Sequence, residues 1–144
     1  MDMTGEHRIS APRDVVWQAL NDDAVLRECI PGCSELEKKS DTELSAIVVQ
    51  KIGPVKAKFA GDVELTNINA PESYTIRGEG SGGVAGFAKG GADVTLAEDG
   101  AETILSYTVH ATVGGKLARL GSRVIDSTAR KLAAGEVFVP GSVW

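Results

Sequence analysis

The stretch GEGSGGVAGFAKGG, Gly78–Gly91, decides the fold of this chain. It contains seven of the 17 glycines, and its first six residues match the dinucleotide-binding pattern G-x-G-x-x-G. A phosphate-binding turn of that kind needs a strand before it and a helix N-terminus after it. Here the following residues alternate between apolar or small and polar side chains as far as Leu96, which is typical of another strand. The stretch therefore predicts two strands joined by a glycine-rich hairpin, and not a nucleotide site.

Alternation continues on both sides of the hairpin, from Ser34 to Val113. The clearest case is residues 55–65, where apolar or small residues at odd positions alternate with mostly polar ones. Together with the two strands of the hairpin, this pattern predicts about six strands with one apolar face and short turns. The orientation of the strand at Leu44–Ile52 stays open, because three apolar residues run together within it.

Helical patterns lie at the two ends of the chain. Met3–Ile9 predicts a first strand, followed by a helix that Ser10 would cap and Pro12 would begin. A second short helix is expected from Asp22 to Cys29. After Gly114 one apolar stripe recurs at helical spacing and predicts an amphipathic helix of about five or six turns. The stripe consists of Leu117, Leu120, Val124, Thr128 and Leu132.

This order predicts a single α+β domain over residues 1–144. A curved antiparallel sheet of about seven strands must cover its apolar face, and the long C-terminal helix is the only element large enough to do so. Small residues at inward positions, such as Gly78, Gly80 and Gly90, favour an apolar cavity between sheet and helix. A closely packed helix would satisfy the same pattern.

Composition excludes several classes of function. The formal net charge of −5 argues against nucleic-acid binding, which needs a clustered basic face. No secretory signal or membrane span is recognisable, so a cytoplasmic location is expected.

Cys29 and Cys33 are expected to be reduced, small packing residues, because only His7 and His110 could complete a metal site. No nucleophile motif is present, and we predict neither catalytic residues nor a metal.

The order of elements is similar to the START-like helix-grip superfamily, also called SRPBCC, whose members bind apolar ligands. Five segments resemble the CoxG family, which is named after a subunit of carbon monoxide dehydrogenase, over about Met3 to Ala133. They are SAPRDVVWQALND, VLRECIPGCSEL, KIGPVKAKFAGDVEL, GEGSGGVAGFAKGGADVTL and GGKLARLGSRVIDSTARKLA. The resemblance implies a non-catalytic accessory protein of molybdenum hydroxylases of the carbon monoxide dehydrogenase type. It also implies recruitment of that enzyme to the inner face of the cytoplasmic membrane and handling of a quinone or another lipid.

On this basis we expect a hydrophobic ligand to be bound between helix and sheet, with no other cofactor. The expected lining residues are Leu120, Val124, Thr128, Phe59, Tyr107 and Val109, with Phe87 and Pro31 at the mouth. Tyr107 and Thr128 would supply the polar contacts. The hairpin residues Gly82, Gly83 and Gly86 are expected to form a gate loop, so that alanine there would slow ligand exchange and leave the fold intact.

Two other functions remain open from the sequence. A START-like enzyme, such as a cyclase or hydrolase, would need acidic, basic or arginine side chains in the cavity. A protein-docking module would instead show an apolar surface patch near Val137–Trp144. That tail departs from the family pattern, and it could also pair with a second copy in a homodimer.

Overall fold

The computed structural model describes residues 2–30 and 32–137. Seven strands form one antiparallel sheet in the order β1-β7-β6-β5-β4-β3-β2. The strands are β1 Asp2–Ile9, β2 Cys33–Lys38, β3 Glu43–Ile52, β4 Val55–Asn69, β5 Ser73–Ser81, β6 Phe87–Asp99 and β7 Glu102–Gly114. The helices are α1 Arg13–Leu20, α2 Asp23–Cys29 and α3 Ser122–Val137, with 3₁₀ segments at Gly83–Ala85 and Gly115–Leu120. The predicted fold, a curved sheet with two short helices after the first strand and a C-terminal helix, is confirmed.

The alternation of the sequence gives the two faces of the sheet correctly. In β4 the odd-numbered residues from Val55 to Leu65 are buried or half-buried, and the even-numbered ones are exposed. The register also settles the orientation of β3, since Leu44 pairs with Val63 and Ile52 with Val55. Both β3 residues are buried, so this strand turns its even-numbered side chains toward the concave face.

The predicted cap of the first helix is wrong. The helix begins at Arg13, and its N-cap is Pro12, which offers no side-chain hydrogen bond. Ser10 lies two residues too early to cap, because the backbone bends there and Ala11 N–H donates to the Ile9 carbonyl at 2.9 Å. The Ser10 hydroxyl instead donates to Glu102 Oε2 at 3.4 Å. The second helix starts as expected, with Asp22 accepting from two backbone N–H groups of its first turn.

The C-terminal helix is shorter than its apolar stripe predicts. Gly121 has φ +88°, a conformation that glycine adopts far more readily than other residues. This residue ends the 3₁₀ segment that carries Leu117 and Leu120, and α3 begins after it. The stripe is therefore divided between two elements. Among the described residues, no helix is long and apolar enough to cross a membrane.

A packed core fills one half of the concave face, at the end where α1 lies against β6 and β7. Val16 of α1 is fully buried there, and Trp17 meets Tyr74 edge-on with ring centroids 5.3 Å apart. The buried hydroxyl of Thr103 donates to the Ala11 carbonyl at 2.8 Å, so this polar group is buried with a hydrogen-bond partner. Burial of these side chains anchors α1 to the sheet.

Candidate functional site

The concave face has a second half, toward the β5–β6 loop, that is packed differently. Its inward positions form two cross-strand rows over β4 to β7. The first row consists of Gly61, Gly80, Ala88 and Val113. The second consists of Val63, Gly78, Gly90 and Ala111. No side chain in them is larger than valine, and every one is half-buried or exposed. We call these eight residues the open half of the concave face.

The contrast with the packed half is a contrast of side-chain volume. Equivalent inward positions nearer to α1 carry Leu65, Tyr74, Val94, Leu96 and Leu105, all at most 8% exposed. Interiors of proteins are normally close-packed. A concave surface built from such small side chains therefore leaves volume that another apolar body could fill.

Helix α3 spans the open half. It contacts β1 and β3, which flank β4 to β7 on either side in the sheet. At its N-terminal end, the β3–β4 turn meets it closely: a Cβ on Gly53 would lie 3.7 Å from Val124 Cγ1 and 3.9 Å from Leu120 Cδ2. These two predicted lining residues are brought together, although they belong to different elements.

Thr128 lies one turn beyond Val124 and is half-buried. Its hydroxyl donates to the Val124 carbonyl of the same helix at 3.0 Å. The donor is therefore used within α3, and the oxygen's remaining lone pairs could still accept a hydrogen bond from a ligand.

The predicted sheet residues Phe59, Tyr107 and Val109 all lie on the concave face and are half-buried. The Tyr107 ring lies over the cross-strand partner Gly5, in a position that a Cβ there would occupy. It also stacks on His7 with ring centroids 5.8 Å apart. Tyr107 thus belongs to the boundary between the packed and open halves.

Phe87 and Pro31 were expected at the mouth of the cavity. Phe87 is 43% exposed and shares a face with Lys89, which puts it on the outer side of the sheet, where its ring lies over Gly114. It therefore borders the β5–β6 loop from outside. Pro31 lies outside the described residues, as do residues 138–144 of the tail.

The β5–β6 loop is an ordered turn. Gly82 N–H donates to the Gly86 carbonyl at 2.9 Å, and Ala85 N–H donates to the Gly82 carbonyl at 3.2 Å. The stretch is followed by β6 and not by an α-helix, so the predicted pair of strands joined by a glycine-rich hairpin is confirmed. Alanine at two of the three predicted gate positions would not fit without movement of neighbouring atoms, which argues against the prediction that the fold stays intact. A Cβ on Gly82 would lie 2.6 Å from Phe59 Cε1, and one on Gly86 would collide with the Gly114 carbonyl.

The concave face offers little acid–base chemistry. Among the described strands, its ionisable side chains are His7, Cys33, Lys38, Tyr74, Glu98 and Tyr107, and none of them belongs to the open half. The carboxylate among them, Glu98, lies beyond Leu96 near α1, with Oε1 3.5 Å from Arg13 Nη2. The Lys38 ammonium group is already bound, since it donates to the Asn21 carbonyl at 3.1 Å. Nor do the described residues bring three His, Cys, Asp or Glu side chains together in a way that could hold a metal ion.

Cys33 begins the edge strand β2 and is half-buried. Burial raises the pKa of its thiol, against a smaller opposing effect from Arg27. A raised pKa keeps the thiol protonated and unreactive near neutral pH. This agrees with the packing role predicted for Cys33.

Two clefts open on the outer face of the sheet, with volumes of about 1080 and 480 Å³. The larger is lined mainly by charged side chains of both signs, such as Asp62, Arg77 and Glu79. A solvated polar side is normal for an antiparallel sheet. None of the described residues predicted to line the cavity borders either cleft. Five of the eight open-half residues do border one of them, namely Gly61, Val63, Gly78, Gly90 and Ala111, so part of their exposure belongs to the outer face.

A comparison with protein families identifies the chain. The family of the carbon monoxide dehydrogenase subunit CoxG matches residues 5–137. The chain belongs to the CoxG family. This confirms the family that the sequence motifs indicated. A comparison with curated protein sequences gives no match.

Solved structures agree with the CoxG assignment and with the fold. A conserved protein from Geobacillus kaustophilus is 31% identical, with a TM-score of 0.88 over 94% of this chain and 90% of that one. The STAR-related lipid transfer protein from Xanthomonas axonopodis is 21% identical, with a TM-score of 0.62 over 94% and 83%. The Zhui aromatase/cyclase from a Streptomyces species is 9% identical, with a TM-score of 0.68 over 95% and 88%. The last two show that the fold is the START-like helix grip.

Proposed function

We propose that this CoxG-family protein is a non-catalytic carrier that binds a quinone or another lipid between α3 and the open half of the concave face. The observation that carries the proposal is the pair of cross-strand rows with no side chain larger than valine. They are apolar, incompletely buried and spanned by a helix. Ligand sites of this kind are typically apolar concavities with few polar groups.

The lack of ionisable side chains among the eight residues of the open half supports carriage over catalysis, because acid–base chemistry needs a positioned proton donor or acceptor. The cyclase among the structural neighbours shares the fold, and fold alone does not transfer an activity. The same limit applies to the lipid transfer in the Xanthomonas protein's name, so the proposed apolar cargo depends on the open half of this chain itself.

We further propose that the carrier serves a molybdenum hydroxylase of the carbon monoxide dehydrogenase type, as the family description implies. It would help to recruit that enzyme to the membrane or supply its quinone electron acceptor. The partner is tested with a purified enzyme of this type and a long-chain quinone. Adding the protein should raise the rate of quinone reduction, and an unchanged rate would count against the partner.

The carrier function is tested first by native mass spectrometry and lipid extraction on protein purified without detergent. We expect a co-purifying quinone or lipid, or a stoichiometric complex after titration with a quinone. A bare chain that binds neither would overturn the proposal.

A matched pair of variants locates the site. Gly80 lies in the open half, and a Cβ there would meet backbone atoms only at 3.7 Å or more, so Gly80→Leu should fold and project its side chain into the space for the ligand. We expect it to lower affinity for the quinone at least tenfold. Thr112→Leu, exposed on the outer face of β7, is the control and should bind normally. Equal binding by both variants would place the ligand elsewhere.

A further inference from the structure

The charges of this chain are strongly segregated. Three segments, residues 47–61, 80–92 and 111–125, contain no Asp or Glu and carry seven of the 15 Lys and Arg residues. These are Lys51, Lys56, Lys58, Lys89, Lys116, Arg119 and Arg123. The segments thus carry a formal charge of +7 within a chain whose net charge is −5.

The fold brings these three segments to one end of the molecule. They are the β3–β4 turn, the β5–β6 loop, and the end of β7 with the 3₁₀ segment and the start of α3. Gly53 of the first lies against Val124 of the third, and the Phe59 ring lies over Gly82 of the second. Gly86 in turn lies against Gly115. We call this the basic end.

All seven basic side chains are exposed, and within the described residues none forms an ion pair. Lys51 and Lys56 are direct cross-strand partners in the β3–β4 hairpin. Like charges placed opposite each other destabilise a sheet. An anionic surface bound at this end would relieve that repulsion.

Two apolar side chains are exposed at the same end. Val84, at the tip of the β5–β6 loop, is 85% exposed, and Phe87 beside it is 43% exposed. An apolar tip at the end that carries these lysines and arginines matches the two attractions of a lipid surface, which are the apolar boundary of the acyl chains and the negative headgroups. The core of a protein interface would instead offer a broader apolar patch.

We infer that the basic end docks on an anionic lipid bilayer, with Val84 inserted at its surface. The inference deepens the proposed carrier function. It rests on that function for one point only, namely that the cargo is exchanged with the membrane. The open half of the concave face adjoins the same loop, so docking would bring the space under α3 to the membrane.

The charge contribution is tested by sedimentation of the full chain with vesicles of phosphatidylcholine, with and without phosphatidylglycerol, at low and high salt. We expect binding only to the anionic vesicles, weakened by salt. Each lysine removed near the surface should lower partitioning about fivefold, so Lys51→Gln/Lys56→Gln should lower it roughly 30-fold. The control, Lys39→Gln/Arg77→Gln, removes the same charge from the outer face among acidic residues and should bind like the wild type.

Insertion is tested with a second pair of variants. Val84→Asp should weaken vesicle binding at least tenfold, whereas Ile68→Asp should not, because Ile68 is 47% exposed near the β4–β5 turn at the other end of β4. Melting curves for all variants check that they are folded, which is expected because the substituted side chains are exposed.

Equal vesicle binding by the wild type, the Lys51/Lys56 variant and Val84→Asp would overturn the inference. If the Lys51/Lys56 variant and Val84→Asp bind vesicles normally but no longer bind a molybdenum hydroxylase, the basic end would be assigned to a protein partner. Vesicle binding without any co-purified or titrated cargo would refute the carrier function alone. Cargo binding without vesicle binding would refute the docking alone.

Discussion

Three aromatic rings of this protein each lie over a glycine of a neighbouring strand or loop. Tyr107 covers Gly5, Phe59 covers Gly82 and Phe87 covers Gly114. A glycine weakens a strand, and an aromatic ring laid across it restores buried contact. These glycines are therefore required because a ring already occupies the place of their side chain.

Gly5→Ala should lower the free energy of unfolding by about 1–3 kcal/mol, because its Cβ would displace the Tyr107 ring. Gly80→Ala makes the same change where there is room, and it should be neutral or raise stability by up to about 1 kcal/mol. Chemical denaturation of the two variants measures both. Equal effects would mean that the ring moves aside freely.

At the scale of elements, the edge strand β1 is held to β7 by its ladder and by polar pairs at its two ends. Arg8 Nη1 donates to Asp99 Oδ2 at 2.6 Å and to Glu102 Oε1 at 3.3 Å. At the other end, His110 Nδ1 lies 2.9 Å from Asp2 Oδ1. Both pairs are exposed, so each contributes little to stability.

The Asp2–His110 pair still has a measurable consequence. The hydrogen bond from His110, followed by its charge, lowers the pKa of the Asp2 carboxyl below the ordinary aspartate value. A lowered pKa in the folded state means that the small stabilisation is present above the pKa of the unfolded chain. It is lost as the pH falls through the lower, folded value. His110→Gln should raise the Asp2 pKa in an NMR titration, and an unchanged value would show that the pair does not form in solution.

Strand faces could be predicted from the sequence because alternation depends only on neighbouring residues, as in residues 55–65. The break at Gly121 could not, since Leu117 and Leu120 fit an α-helix and a 3₁₀ segment almost equally well. The ring–glycine pairs required the register of distant strands. The acid-free segments were visible in the sequence, but only the topology shows that they meet at one end.

The molecule as a whole is divided along its strands. One half of the concave face is filled by large side chains under α1, and the other half is lined by small ones under α3. The same strands cross both halves with continuous pairing. Local stability should therefore vary along a strand according to what covers it and not according to its hydrogen bonds.

Hydrogen exchange would show this division. We expect the amides of Val94, Leu96 and Leu105 to exchange much more slowly than those of Gly80 and Ala88, although all lie in paired, central strands. A bound quinone or lipid should slow the second group and leave the first nearly unchanged. Uniform protection along β5 and β6 in the ligand-free protein would contradict the division.

The contact between Trp17 and Tyr74 has a practical consequence for such experiments. The sequence has two tryptophans, Trp17 and Trp144, and Trp17 belongs to the packed half. In a Trp144→Phe variant, the indole emission would come only from Trp17, in the packed half and away from the proposed cargo site. That fluorescence would then follow unfolding of the protein with little direct interference from its ligand.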